Sequence, residues 1–216
     1  LRELIVENVR FIAIEGVIGS GKTSLAEVLA QKFHAGVVAE QFEDNPFLEK
    51  FYADRRKFAF HTQLYFLMSR YKQQREIAQI DLFNSRVIAD YLFAKDRIFA
   101  EINLSEDEFR LYDKIYALIE HDIPRPDLVL YLQGTPEFLY KRIKRRDRSF
   151  EREIEFEYIE ELCNAYNTFF FHYNMSPLLI VDIKGFDFVG NSSDTALLTR
   201  EIKQLKEPRR IVSKEW

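Results

Sequence analysis

Ile12-Ala13-Ile14-Glu15-Gly16-Val17-Ile18-Gly19-Ser20-Gly21-Lys22-Thr23-Ser24-Leu25 decides how the rest of the chain is read. A chain of 216 residues with seven glycines places three of them within residues 16–21, directly ahead of Lys22-Thr23. Residues 16–23 match G-x-x-x-x-G-K-[ST] in full, between an apolar strand-like run at 11–14 and a helical pattern at 22–33. Glycines let the backbone curl until successive N–H groups converge on phosphate oxygens, and the helix N-terminus adds partial positive charge. Lys22 is expected to reach the outer phosphates and Thr23 to hold a metal through its hydroxyl. Gly16, Gly19, Ser20, Gly21 and Ser24 complete the cradle. A bare strand-to-helix turn is the competing reading, but it has no use for the lysine. The ligand expected is a nucleoside triphosphate, ATP, with Mg2+.

Outward from this loop, apolar runs alternate with helical patterns. Residues 37–39, 86–90, 127–132 and 178–182 read as further strands, continuously apolar rather than alternating. That is the pattern of a parallel sheet covered on both faces. Helices are expected at about 46–54 and 58–80. Another runs from the capping-box run Ser105-Glu106-Asp107-Glu108 to about 120, and one follows Thr135-Pro136. The last is expected at about 156–171. The expectation is one α/β domain over residues 1–216, whole or as part of a longer chain, on a five-stranded parallel sheet flanked by helices.

Composition narrows the function. With 47% hydrophobic and 31% charged residues the chain reads as a soluble globular protein, and a net charge of −4 offers no general attraction to nucleic acid or an anionic membrane. No apolar run approaches the roughly 18 residues of a membrane helix, and no signal peptide is visible. The single cysteine, Cys163, excludes an internal disulfide; it is expected to pack rather than react, in a reducing, cytoplasmic setting.

Three classes of nucleotide enzyme then compete. A GTPase switch needs D-x-x-G ahead of N-K-x-D; here D-x-x-G occurs late, at 182–185, and N-K-x-D is absent. A mechanical or DNA-acting ATPase would use an acid ending a strand, such as Asp90, but the chain is small and acidic for that work. A small-molecule kinase needs an acceptor pocket, a base for a hydroxyl, and arginines over the transferred phosphate.

Candidates for these parts exist. Glu40 and Asp90 each follow a strand, and in open parallel sheets the carboxyl ends of strands face the ligand crevice. A carboxylate there accepts a hydroxyl proton or holds magnesium. Gln63, Phe66 and Arg70 fall at i, i+3 and i+7 on one helix face, which suits either a base-reading stripe or the polar rim of an amphipathic helix. The basic run 141–148 carries Arg142, Arg146 and Arg148, which read as lid arginines, as a solvated helix face, or as an RNA-binding patch.

Taken together, "GVIGSGKT", "AEQFEDNPFLEKFY", "FHTQLYFLMSRYKQQ", "DYLFAKDRIFA", "PDLVLYLQGTPE" and "RIKRRDRSFE" resemble the deoxynucleoside kinase family, above all its bacterial deoxyadenosine, deoxyguanosine and deoxycytidine kinases, over about residues 11–182. Only the first motif is widespread; the ordered set is specific. The resemblance implies transfer of the γ-phosphate of ATP to the 5′-hydroxyl of a deoxynucleoside by a homodimer. It implies that Glu40 accepts the hydroxyl proton, that Gln63 and the pair Arg70–Asp96 read the base, and that Tyr52 and Glu151 hold the 3′-hydroxyl. Arg142, Arg146 and Arg148 would form the lid, with Asp90 in the magnesium site. Retention of Arg70 and Asp96 points to a purine deoxynucleoside or deoxycytidine rather than thymidine, with a purine first. A nucleoside monophosphate kinase and a nucleotide-dependent RNA-binding module are the alternatives.

One departure stands out. The family commonly reads acid-Arg-Ser after the third strand, whereas this chain reads Asp90-Tyr91-Leu92. Lys95, Arg97 or a lid arginine is left to compensate.

Overall fold

The computed structural model describes residues 9–80 and 86–214; residues 1–8, 81–85 and 215–216 of the expected 1–216 domain lie outside them. The run around the phosphate loop folds as expected from its pattern. Phe11–Gly16 is β1, buried along its whole length, and Lys22–Phe33 is α1. Gly36–Val38 (β2) leads to α2 (Leu48–Ala53) and the long α3 (Arg55–Ile80). Val87–Ala89 (β3), α4 (Lys95–Asn103) and α5 (Glu106–Ile119) follow. Leu128–Gln133 (β4), α6 (Pro136–Arg146) and α7 (Phe156–His172) come next. The described chain closes with β5 (Leu178–Asp182), α8 (Ser192–Lys203) and β6 (Arg209–Val212).

The strands form one parallel sheet in the order β2-β3-β1-β4-β5-β6. Consecutive strands β1 and β2 are separated by β3, so the chain reverses its direction of travel across the sheet beside β1. That reversal opens a crevice at the carboxyl end of β1, where the phosphate loop lies. The helices gather in two groups: α1 packs on β1, β2 and β3 and meets α8, whereas α3, α4, α5 and α7 pack on one another. A small second cluster, with Leu67, Phe93, Ala100, Tyr112 and Tyr116, fills the space between α3, α4 and α5.

The expected five strands are six. β6 was missed because its sequence, Arg-Arg-Ile-Val, is half charged; it lies at the sheet edge with only Val212 buried, where a solvated face tolerates arginine. The helix α4 also escaped the pattern reading. Its first turn buries Lys95 and Asp96, so apolar periodicity is broken where the polar side chains face inward. The helix starts expected at Ser105 and Thr135 hold. The backbone N–H of Ser105 donates to Glu108 Oε2 at 2.9 Å, and that of Phe138 donates to Thr135 Oγ1 at 3.3 Å. Cys163 is packed, and burial pushes its thiol up to about 11.

Leu130 sits fully buried in β4 between β1 and β5. Leu130→Ala is expected to cost about 2–5 kcal/mol of stability through lost burial and a residual cavity. The reading is the urea midpoint at unchanged slope; a loss below about 1 kcal/mol would contradict the central placement of that side chain.

Candidate active site

Three segments meet at the carboxyl ends of β1, β2 and β3. The phosphate loop turns on Gly19 (φ 84°) and Gly21 (φ 97°), both in the left-handed region that side chains avoid. Gly16 is required for a different reason: a Cβ there would stand 2.7 Å from the Leu132 carbonyl oxygen, so the loop is pressed onto β4. Ser20 is buried, and Thr23 and Ser24 lie exposed on the first turn of α1. The Lys22 ammonium folds back on the loop and donates to the Gly16 carbonyl at 2.7 Å. Burial pulls it below its ordinary pKa, opposed first by Glu15. A concave ring of N–H groups with a lysine folded over it suits the phosphate tail of a nucleotide.

Asp90 stands at the end of β3 with one oxygen facing each neighbour. Its Oδ2 accepts from the Thr23 hydroxyl, and its Oδ1 accepts from the Glu40 backbone N–H at 2.7 Å. Among the described residues no group of three or more His, Cys, Asp or Glu side chains could hold a metal. Magnesium, however, keeps several waters and binds through one or two carboxylates plus substrate phosphates. Thr23 and Asp90, already in contact beside the loop, fit that mode.

Glu40 is held from both sides. Its Oε1 accepts from the Arg70 guanidinium, with Nε at 2.9 Å, and its Oε2 accepts from the Lys95 ammonium at 2.7 Å. Burial pushes the carboxyl up, but Arg70 and then Lys95 outweigh it and hold the group well below the usual carboxylate range. Arg70 also pairs with Asp96, which is fully buried, and lies over the Phe66 ring at 4.5 Å.

These groups line one cleft of roughly 780 Å³, its open mouth included. Its floor carries Gly16, Gly19, Lys22, Thr23, Glu40 and Asp90; its walls are aromatic, with Phe42, Phe66, Phe99, Phe150, Tyr52 and Tyr166. Arg70, Lys95, Arg146, Arg148 and Glu151 supply the remaining charge. Flat apolar walls around a few fixed polar groups are what a planar, hydrogen-bonding ligand needs.

The lid segment comes from α6 and the turn that follows. Asp147 ends the helix in the left-handed conformation, and the chain turns back so that Arg146 Nε donates to Glu151 Oε2 at 3.2 Å. Arg148 lies over the Phe42 ring at 4.9 Å. Arg142 does not line the cleft; its Nη1 donates weakly to the Ser20 carbonyl at 3.4 Å, beside Gly21. Gln63 and Asp96 lie behind the cleft wall, both buried, with the Gln63 amide oxygen unpartnered.

Two supporting residues escaped the sequence reading. Glu15 is a fully buried acid inside an apolar strand. Its oxygens accept from the Gly16 N–H at 2.8 Å, the Leu92 N–H at 2.7 Å and the Tyr166 hydroxyl at 3.2 Å, joining β1 to the segment after β3 and to α7. A lone acid within Phe-Ile-Ala-Ile-Glu-Gly was the available signal. Asn45, before Pro46, donates to the Thr62 carbonyl at 3.2 Å and accepts from the Phe47 N–H at 3.0 Å. It pins the segment after Glu40 to α3.

Known proteins resemble this chain. The family model described as deoxynucleoside kinase matches residues 12–207. The deoxyguanosine kinase of Bacillus subtilis is 40% identical over 200 residues, covering 90% of this chain and 97% of that protein. The deoxyadenosine/deoxycytidine kinase of the same organism is 28% identical over 199 residues, with 88% and 90% covered. Among solved structures, the deoxyadenosine kinase of M. mycoides with bound dATP superposes with a TM-score of 0.79 at 27% identity, over 90% of this chain and all of that one.

A Cβ at Gly19 would stand 2.9 Å from Ile143 Cγ1 in a backbone conformation that disfavours side chains. Gly19→Ala is therefore expected to weaken ATP binding by about tenfold or more, from a strain of about 1–3 kcal/mol. The fluorescence of a labelled ATP analogue reads this directly, and unchanged affinity would remove the loop from the binding site. A loop so built, a carboxylate clamped beside it and matches along nearly the whole chain lead to one conclusion: the chain belongs to the deoxynucleoside kinase family.

Proposed function

We propose that this protein transfers the γ-phosphate of ATP to the 5′-hydroxyl of a deoxynucleoside, a purine deoxynucleoside first. The observation that carries the reading is Glu40, an ionised carboxylate at 2.7 Å from Lys95 on the floor of an aromatic cleft that also holds the phosphate loop. The deoxyguanosine and deoxyadenosine/deoxycytidine kinases among its relatives support the acceptor class.

On this reading the phosphate loop and Lys22 cradle the triphosphate. Thr23 and Asp90 would hold magnesium, which would supply charge neutralisation at the phosphate oxygens. The nucleoside enters between the aromatic walls, its base toward Gln63, Arg70 and Asp96 and its 3′-hydroxyl toward Tyr52 and Glu151. The 5′-oxygen forms a bond to the γ-phosphorus while the bond from phosphorus to the β,γ-bridging oxygen breaks, leaving ADP; the hydroxyl proton passes to Glu40. Because Glu40 is held well below the ordinary carboxylate range, it takes that proton late, after the new bond has made the hydroxyl acidic. Its earlier role is to orient the hydroxyl. Arg146 and Arg148 supply charge above the transferring group, and Arg142 joins them on closure of the lid.

A homodimer completes the reading. Met68 on α3 and Leu111 and Leu118 on the adjacent α5 are exposed, a surface that a second copy would cover. Light scattering that returned the mass of one chain at micromolar concentration would overturn this part. A cytoplasmic setting suits the single buried cysteine.

Offered deoxyadenosine, deoxyguanosine, deoxycytidine and thymidine separately with ATP and Mg2+, the protein is expected to phosphorylate one or two of the first three. Glu40→Gln should lower turnover by about 10²–10⁴-fold with ATP binding intact. Unchanged turnover in that variant would favour a monophosphate acceptor, whose phosphate is already a nucleophile.

A further inference from the structure

The structure assigns to Lys95 the cationic place beside the acceptor carboxylate: we propose that it is the positioning residue that fixes Glu40 for proton acceptance. The inference rests on the reading of Glu40 given above.

Lys95 is 3% exposed, and its ammonium donates to Glu40 Oε2 at 2.7 Å. Burying a lysine is costly unless its charge is matched by a close partner. A surface pairing for Glu40 would have been cheaper, and Arg70 already supplies one buried cation to the same carboxylate. Arg70 is shared with Asp96, however, so two cations face two carboxylates and Lys95 is the one that serves Glu40. Burial lowers the pKa of the Lys22 ammonium, and the charge of Lys95 adds to that effect. Both line the same cleft.

The neighbourhood explains how the lysine is kept there. Tyr91 is fully buried, and Lys95 lies over its ring at 5.9 Å from the centroid. The ring gives the alkyl stem an apolar support and faces the ammonium with π-electron density. Tyr91 and Lys95 thus form a unit: the ring supports the lysine, and the lysine, at the first turn of α4, brings its charge to Glu40.

The other candidates are engaged elsewhere. Arg97 points to the surface, with Nη2 at 3.0 Å from Asp113 and the guanidinium over Tyr116. Arg146 is bonded to Glu151, Arg148 lies over Phe42, and Arg142 reaches the Ser20 carbonyl. Arg70 is divided between Glu40 and Asp96.

In the transfer step the 5′-oxygen–phosphorus bond forms, the bond from phosphorus to the bridging oxygen breaks, and the proton goes to Glu40. Lys95 keeps its own protons throughout. It holds Oε2, leaving the carboxylate turned so that Oε1 receives the hydroxyl once substrate has displaced part of the Arg70 contact.

The test compares wild type, Lys95→Met and Lys95→Arg, with Glu40→Gln as control, measuring kcat and both KM values after checking melting and ATP binding. Lys95→Met is expected to lower kcat by roughly 10²-fold or more with KM for ATP little changed. Lys95→Arg should restore most of the rate. Lys95→Gln, which keeps a donor without the charge, carries the same comparison if the methionine variant does not fold. A Lys95→Met enzyme with wild-type kcat overturns the proposal, as does a folded Lys95→Arg enzyme no better than Lys95→Met. Full turnover in Glu40→Gln instead overturns the underlying reading of the carboxylate, and this inference with it.

Discussion

The carboxylate of Asp90 joins two pieces of chain that lie 67 and 50 residues away from it, accepting from the Thr23 hydroxyl on one side and the Glu40 backbone on the other. Only a sheet in which β2, β3 and β1 lie side by side and parallel brings the ends of those strands close enough for one side chain to span them. The consequence reaches beyond a hydrogen bond. β2 is three residues long, sits at the sheet edge and is largely exposed, so strand pairing alone fixes its end poorly. The bond from Glu40 N–H to Asp90 ties the residue after β2 to the strand end beside the phosphate loop. A kinase of this kind does little covalent work itself, and its rate depends on such positioning.

Glu15 performs the corresponding task from below. A fully buried acid is expensive, and this one is satisfied by two backbone N–H groups and the Tyr166 hydroxyl. Its partners come from the loop's own first glycine, from the segment after β3, and from α7. The floor of the cleft is therefore a polar network between strands and not a hydrophobic surface, which keeps its geometry specific while the aromatic walls supply affinity.

Much of this was legible in the sequence because it rests on local rules. The phosphate loop needs glycine at defined places and shows them; β1, β4 and β5 are central, buried on both faces, and read as apolar runs. The Ser105 and Thr135 caps are chemistry between residues three apart. What the pattern missed is what depends on distant partners. β6 exists because it pairs with β5, through registers such as Leu178 with Arg209, and its own residues carry no such signal. The first turn of α4 hides in the sequence because Lys95 and Asp96 are buried polar residues, justified only by Glu40 and Arg70 lying opposite. The family resemblance supplied Arg70 and Asp96; its departure at Tyr91 left Lys95 as one of several candidates to compensate. Arg142, expected as a lid arginine, rests against the loop backbone.

The charges around Glu40 also bear on the rival acceptor. Arg70 and Lys95 are both bonded to Glu40, and Arg70 reaches Asp96 as well, so every cation at the inner end of the cleft already faces a carboxylate. An incoming hydroxyl adds to this arrangement, donating its hydrogen to Glu40 while leaving Lys95 in place. An incoming monophosphate would bring negative charge against Glu40 and would need to take both cations from it, exposing an unpaired buried carboxylate at a cost of several kcal/mol. The two further arginines of the cleft, Arg146 and Arg148, are engaged by Glu151 and the Phe42 ring. Electrostatics at the inner end of the cleft thus favour a neutral acceptor.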